Sequence, residues 1–155
     1  MKKAISMMLA LIMVVSFSMA GAMEVQAAEE PVCVDGSYLL DDATESVGDL
    51  RISTWGYYLK SGTSTLSEIG TGKIGVGGST TAQRVVDEIS VTVKVQRLVN
   101  GRWQNYHTWD AEKTNAAYVS TSKTLTVPTG YYYRVSCSHY AASDTGYSNT
   151  DGIYI

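Results

Sequence analysis

The chain has 155 residues, with twelve Lys and Arg against fifteen Asp and Glu and a formal net charge of −3. That length has room for one domain around one core. The mild acidity and the lack of any basic block give no electrostatic reason to bind nucleic acid or an anionic membrane, and neither is expected as a partner.

Residues 1–27 read as a secretory signal peptide. Lys2 and Lys3 supply the positive start, Ala4 to Phe17 an almost unbroken apolar run, and Val25-Gln26-Ala27 a small-x-small cleavage site. The apolar run is shorter than the roughly 20 residues of a spanning helix, so a leader is expected rather than a membrane span. A secreted, extracellular location follows, with at most loose association with the envelope. Removing the leader leaves ten basic and fourteen acidic residues. It also leaves all eleven Tyr and all three Trp, while every Met and the single Phe go with the leader. A mature domain built on Val, Ile, Leu, Tyr, Trp and Thr favours strands.

Residues 28–49 are acidic and polar, with Glu29-Glu30, Asp41-Asp42, Glu45 and Asp49, and read as an N-terminal arm with one edge strand. From residue 50 onward, strand-like runs alternate with Gly, Ser and Thr. The runs are Arg51–Lys60, Thr63–Ile69, Lys73–Gly78, Asp87–Val99, Arg102–Glu112, Ala117–Val127, Tyr131–Ala141 and Gly152–Ile155. No stretch has helical periodicity. Short strands at regular spacing predict an all-β domain over residues 50–155, a single antiparallel β-sandwich of seven or eight strands.

The clearest strand alternates Ile89, Val91, Val93 and Val95 with Ser90, Thr92, Lys94 and Gln96, one face for the core and one for water. Asn100-Gly101 then signals a hairpin. A two-residue turn pairs Val99 with Arg102 and sends Trp103, His107 and Trp109 to the solvent face. A three-residue loop pairs Val93 with His107 and Val91 with Trp109 and sends the tryptophans inward. Arg102, Gln104, Tyr106, Thr108, Asp110 and Glu112 are the more polar alternate set, which favours the tryptophans inward. After the Val127-Pro128-Thr129-Gly130 turn, Tyr131, Tyr133, Val135, Cys137 and His139 form the face expected in the core, and Ser143 to Asn149 read as a loop.

Two resemblances attach to these residues. Leu125-Thr126-Val127-Pro128 followed by Tyr131 to Cys137 resembles the last strands of fibronectin type III and immunoglobulin-like sandwiches. That likeness implies a tyrosine corner, with the Tyr131 hydroxyl bonded to the preceding turn. Asp35-Gly36-Ser37-Tyr38-Leu39, Gly78-Ser79-Thr80-Thr81-Ala82, Asn100-Gly101-Arg102-Trp103, Gly130-Tyr131-Tyr132-Tyr133-Arg134-Val135 and Gly152-Ile153-Tyr154-Ile155 resemble an uncharacterised family of small secreted β-rich proteins of Gram-positive, clostridia-like bacteria. This second likeness implies secretion and one β domain, and no catalytic residues.

The chemistry is sparse. Cys33 and Cys137 are the only cysteines, and an even count in an oxidising compartment fits one disulfide between them. The alternative is two unpaired residues, with Cys137 a small buried hydrophobe. Gly70-Thr71-Gly72-Lys73-Ile74-Gly75 matches G-x-G-x-x-G on paper, but strands on both sides make these turn glycines. His107 and His139 lie on separate strands without an obvious nucleophile, and neither a metal site nor a cofactor is expected. Tyrosine and arginine remain, the residues that binding hot spots favour. Placed in one sheet, the strands from Arg102 and Tyr131 would carry Tyr106, Asp110, Tyr132, Arg134 and Tyr140 on one outer face. The expectation is a secreted, non-enzymatic binding module that meets an extracellular protein or glycan through that face. The alternative is a structural or self-assembling envelope protein joined by an edge strand or the acidic arm.

Overall fold

The structure is a computed structural model that describes residues 30–52 and 56–155; the proposed signal peptide and the middle of the Arg51–Lys60 run lie outside the described residues. The described chain is all β. Ten strands follow one another: β1 (Cys33–Val34), β2 (Ser37–Leu40), β3 (Glu45–Asp49), β4 (Arg51–Ile52), β5 (Leu59–Gly70), β6 (Lys73–Val99), β7 (Arg102–Thr126), β8 (Tyr132–Ala141), β9 (Asp144–Asn149) and β10 (Gly152–Tyr154).

Two of these strands are far longer than the sequence suggests. The runs Lys73–Gly78 and Asp87–Val99 are one 27-residue strand, and Arg102–Glu112 and Ala117–Val127 belong to one 25-residue strand. They form a hairpin that bends in its middle. On β6 the bend is the exposed segment Gln83 to Val85, and on β7 it is marked by Asn115, whose φ is 50°. The register slips there, between Thr81 and Val86. The bend also resets the side-chain phase. Ile74, Val76, Thr80 and Ala82 are buried before it, and Ile89, Val91, Val93 and Val95 after it.

The two halves of the hairpin gather different partners. The first half of β6 pairs with β5, which pairs with β3; the second half pairs with β8, which pairs with β9 and β10. β10 joins β2 in parallel, and β4 pairs with β9. The expected antiparallel sandwich of seven or eight strands is therefore replaced by one curled, mixed sheet of ten, a half-barrel. The physical reason is that the linking strands bend rather than break. The acidic residues read as an arm supply β1, β2 and β3, and the compact unit begins at Pro31.

The two halves meet face to face across the core. A Cβ on Gly78 would lie 2.6 Å from Cys137 Sγ and 3.1–3.2 Å from the Val91 and Val93 methyls. A Cβ on Gly62 would lie 2.6 Å from the His139 ring. Only glycine lets the backbones approach so closely. Between the halves, Leu66, Ile74, Val76, Val91, Val93, Val95, Tyr133, Val135 and Ile153 are fully buried.

The Asn100-Gly101 turn has two residues, both with positive φ (51° and 73°), the geometry of a type I′ hairpin. That turn alone would send both tryptophans to one face. A bulge at Tyr106 intervenes, where the partner of Val95 is His107 and the partner of Gln96 is Asn105. Trp109 consequently sits opposite Val93 on the core side, where its indole N–H donates to Thr121 Oγ1 at 3.0 Å. Trp103, ahead of the bulge, pairs with Leu98 on the opposite face.

Two local expectations change. Cys33 and Cys137 are not bonded to each other: Cys137 is buried in the core, and Cys33 is exposed on β1. Burial pushes the Cys137 thiol up to about 12, which makes it a small, inert core side chain. The hydroxyl that bonds the Pro128 turn belongs to Tyr133, not Tyr131, because Tyr133 is the inward residue at the start of β8; it donates to Pro128 O at 2.8 Å.

Replacing Gly78 by Ala is expected to cost about 1–3 kcal/mol by overpacking the contact with Cys137. Adding Cys137→Ala should recover part of that loss, because it removes the sulfur. Urea unfolding of the two single variants and the double variant checks this, and a Gly78→Ala chain as stable as the parent contradicts the face-to-face contact.

Candidate functional site

The second half of the sheet has one face in the core and one outside, and the outer face is divided. At one end the β1–β2 hairpin folds over it, turning at Asp35 and Gly36, both with positive φ. Trp103 is packed beneath this hairpin. Its indole N–H donates to Val34 O at 3.1 Å, the Arg134 guanidinium stacks on its ring at 4.6 Å, and a Cβ on Gly152 would touch it at 2.8 Å. Arg134 also donates to Gln96 Oε1, Asp35 O and Ser37 Oγ. It is 7 % exposed, and burial lowers its pKa from the ordinary value.

The other end of the face is open. Register aligns Asp110, Thr92, Ser138 and Tyr147 in one row across β7, β6, β8 and β9, and Glu112, Ser90, Tyr140 and Thr145 in the next. At about 4.8 Å per strand the rows are roughly 14 Å wide. Ser90, Thr92, Ser138, Tyr140, Thr145 and Tyr147 line a shallow groove of about 340 Å³ there. Tyr147 is exposed and Tyr140 half-buried, while Asp110 and Glu112 form an acidic flank.

The five residues anticipated on one face are thus partly gathered and partly scattered. Asp110 and Tyr140 share the open end. Arg134 lies on the same face but holds the β1–β2 hairpin down. Tyr132 sits eight residues from Tyr140, roughly 26 Å along the strand. Its hydroxyl donates to Asp41, and that carboxylate pushes it up to about 12; its ring meets Tyr154 edge-on at 5.2 Å. Tyr106, at the bulge, turns to the core-side face, edge-on to Tyr133 at 5.9 Å, with Arg97 over both Tyr106 and the exposed Tyr131.

The sequence places Thr145 and Tyr147 in a loop, and the structure places them on a strand. They lie on β9 because Ala142 takes φ 55° and closes a two-residue turn, with Ala141 opposite Asp144. No glycine or asparagine marks that turn. The alternation of Thr145, Tyr147 and Asn149 with Gly146 and Ser148 was the available signal.

The groove floor is fastened from behind by a buried polar chain. Thr80 Oγ1 donates to Ser90 O at 2.9 Å, which uses its only proton. It therefore accepts from His139 Nδ1–H at 2.8 Å, and Nε2 of the neutral ring accepts from the Ser148 hydroxyl at 2.8 Å. His139 is 1 % exposed, and burial pushes its imidazole down to about 4. His139 borders the groove floor together with Gly146, but both of its ring nitrogens are engaged by Thr80 and Ser148. Among the described residues no three His, Cys, Asp or Glu side chains are placed to share a metal ion. No protein-family model, curated protein or solved structure matches the chain.

His139 sets a pH dependence. Unfolded, its imidazole titrates near pH 6.5; folded, it takes a proton only near pH 4. Between those values the unfolded chain binds more protons, so stability falls as pH drops through that window, by about 3 kcal/mol in all. Urea midpoints from pH 7 to 4.5 should fall more steeply for the parent than for His139→Gln. Parallel pH profiles of the two proteins contradict the buried neutral ring.

Proposed function

We propose that the protein is a secreted, non-enzymatic binding module that holds an extracellular ligand on the open end of the divided face. Secretion is supported by the Lys2-Lys3 start, the apolar run to Phe17 and the small-x-small Val25-Gln26-Ala27 site. Binding is supported by one observation above all: one end of the face is covered by its own hairpin, while the other leaves a groove between Tyr140 and Tyr147 floored by Ser90, Thr92 and Ser138.

The chemistry of that groove favours a glycan over a protein ligand. Its lining is neutral and rich in hydroxyls, which donate and accept as sugar hydroxyls do. Tyrosine offers a flat apolar ring with a polar tip for the C–H face of a sugar. The acidic flank of Asp110 and Glu112 adds acceptors and repels anionic ligands.

Probing arrays of glycans and cell-surface proteins with the purified chain and with Tyr140→Ala/Tyr147→Ala tests this reading. A glycan hit weakened at least about tenfold in the variant, with thermal unfolding unchanged, is the expected result. A hit that the variant retains places the ligand elsewhere, and a hit confined to proteins overturns the glycan assignment.

A further inference from the structure

The geometry points to self-association of this chain through the second half of β7, Tyr118 to Thr126, paired antiparallel with the same segment of a second copy about a two-fold axis at Ser122. The surface is separate from the groove and does not rest on the reading of it.

β7 pairs with β6 along its length, and among the described residues no strand pairs its other side. An unpaired strand edge is a row of unsatisfied N–H and C=O groups that templates another strand, and folded proteins blunt such edges with charge, bulges or cover. The other edges here are blunted. β3 carries Glu45 and Asp49, and its Gly48 is pressed against Asn149. β1 has two residues. The first half of β7 carries the bulge at Tyr106 and the charges of Arg102, Asp110, Glu112 and Lys113.

Tyr118 to Thr126 has none of these guards. Its nine residues pair with β6 in one unbroken register, from Thr81 opposite Tyr118 to Lys73 opposite Thr126. It contains no Pro, no Gly and a single charge. That charge, Lys123, is drawn to the core side, its Nζ 4.8 Å from the Trp109 ring centre. The result is a straight, near-neutral edge of strand-favouring residues, roughly 30 Å long.

The occupant that fits best is the segment itself. Centred on Ser122, a two-fold pairing uses all nine residues and opposes no like charges. On the outer face it sets Ser120 against Thr124 and Tyr118 against Thr126, pairs that exchange hydrogen bonds. On the core side it sets Val119 against Leu125, an apolar pair. Identical segments share one twist, and a two-fold contact closes on itself without starting a fibre. The sheet would run continuously from β3 of one copy to β3 of the other.

Sedimentation of the purified protein over a concentration series tests this, with Ser120→Lys/Thr124→Lys as the disrupting variant. Both positions are exposed on the outer face, and in the proposed pairing the lysines face each other twice. The parent is expected to be a dimer, and the variant to bind itself about 100-fold more weakly while staying folded, with the circular-dichroism spectrum of the parent. A second measurement needs no disruption. In a Cys33→Ser background, Ser122→Cys should crosslink to its own copy on mild oxidation, and Ser67→Cys on the same face of β5 should not. A parent that stays monomeric at about millimolar concentration, or a dimer unaffected by the two lysines and uncrosslinked at Ser122, overturns the proposal.

Discussion

The structure depends on one constraint: the long β6–β7 hairpin bends and lays one half of itself on the other. Two sheet halves built from the same two strands must then pack at backbone distance. Gly78 over Cys137, Val91 and Val93, and Gly62 over the His139 ring, are where that approach is closest. A side chain at either position would have to displace buried neighbours in a core that has no room for it. The chain Thr80–His139–Ser148 ties β6, β8 and β9 together in the same region, and each of its polar atoms has a partner.

What lies outside follows from how the halves are closed. On one side β3 meets β9 through Gly48 and Asn149, and Ser46 accepts from the Asp151 N–H, so that edge is sealed. On the other side β7 is left as a free edge, with Trp109 bridging its two halves by its bond to Thr121. The acidic N-terminal residues are not an appendage. They supply the sealing strand β3 and the β1–β2 hairpin, which turns half of the outer face into interior. Trp103 and Arg134 are the price of that cover, two large side chains whose indole N–H, Nε and Nη1 are bonded to the hairpin or to Gln96. The uncovered half carries the groove on which ligand binding is proposed.

The sequence made the all-β class legible, because period-two alternation in Ile89 to Gln96 and in Tyr133 to His139 reports burial directly. It concealed the architecture at places where the backbone does something no residue type advertises. Gln83 to Val85 looks like a loop between strands, yet it is a bend within one. The Asn100-Gly101 turn was visible, but the bulge at Tyr106 was not, and that bulge separates Trp103 from Trp109. Ala142 closes a turn in the left-handed region without glycine, so β9 and Tyr147 went unseen. Of the anticipated face, Asp110 and Tyr140 keep their places. Arg134 is taken up by packing, since a residue type suited to ligands is equally suited to holding a hairpin down. The cysteine count pointed to a disulfide because counting carries no information about which side of a sheet each thiol occupies.

The folded-over hairpin is tested most directly by proton–proton contacts in solution. Nuclear Overhauser spectra of the labelled protein should show cross-peaks from the Gly78 α-protons to the methyls of Val91 and Val93, and from the Gly62 α-protons to the His139 ring. Contacts confined to residues within each half, with none between Gly78 and the two valines, would contradict the account.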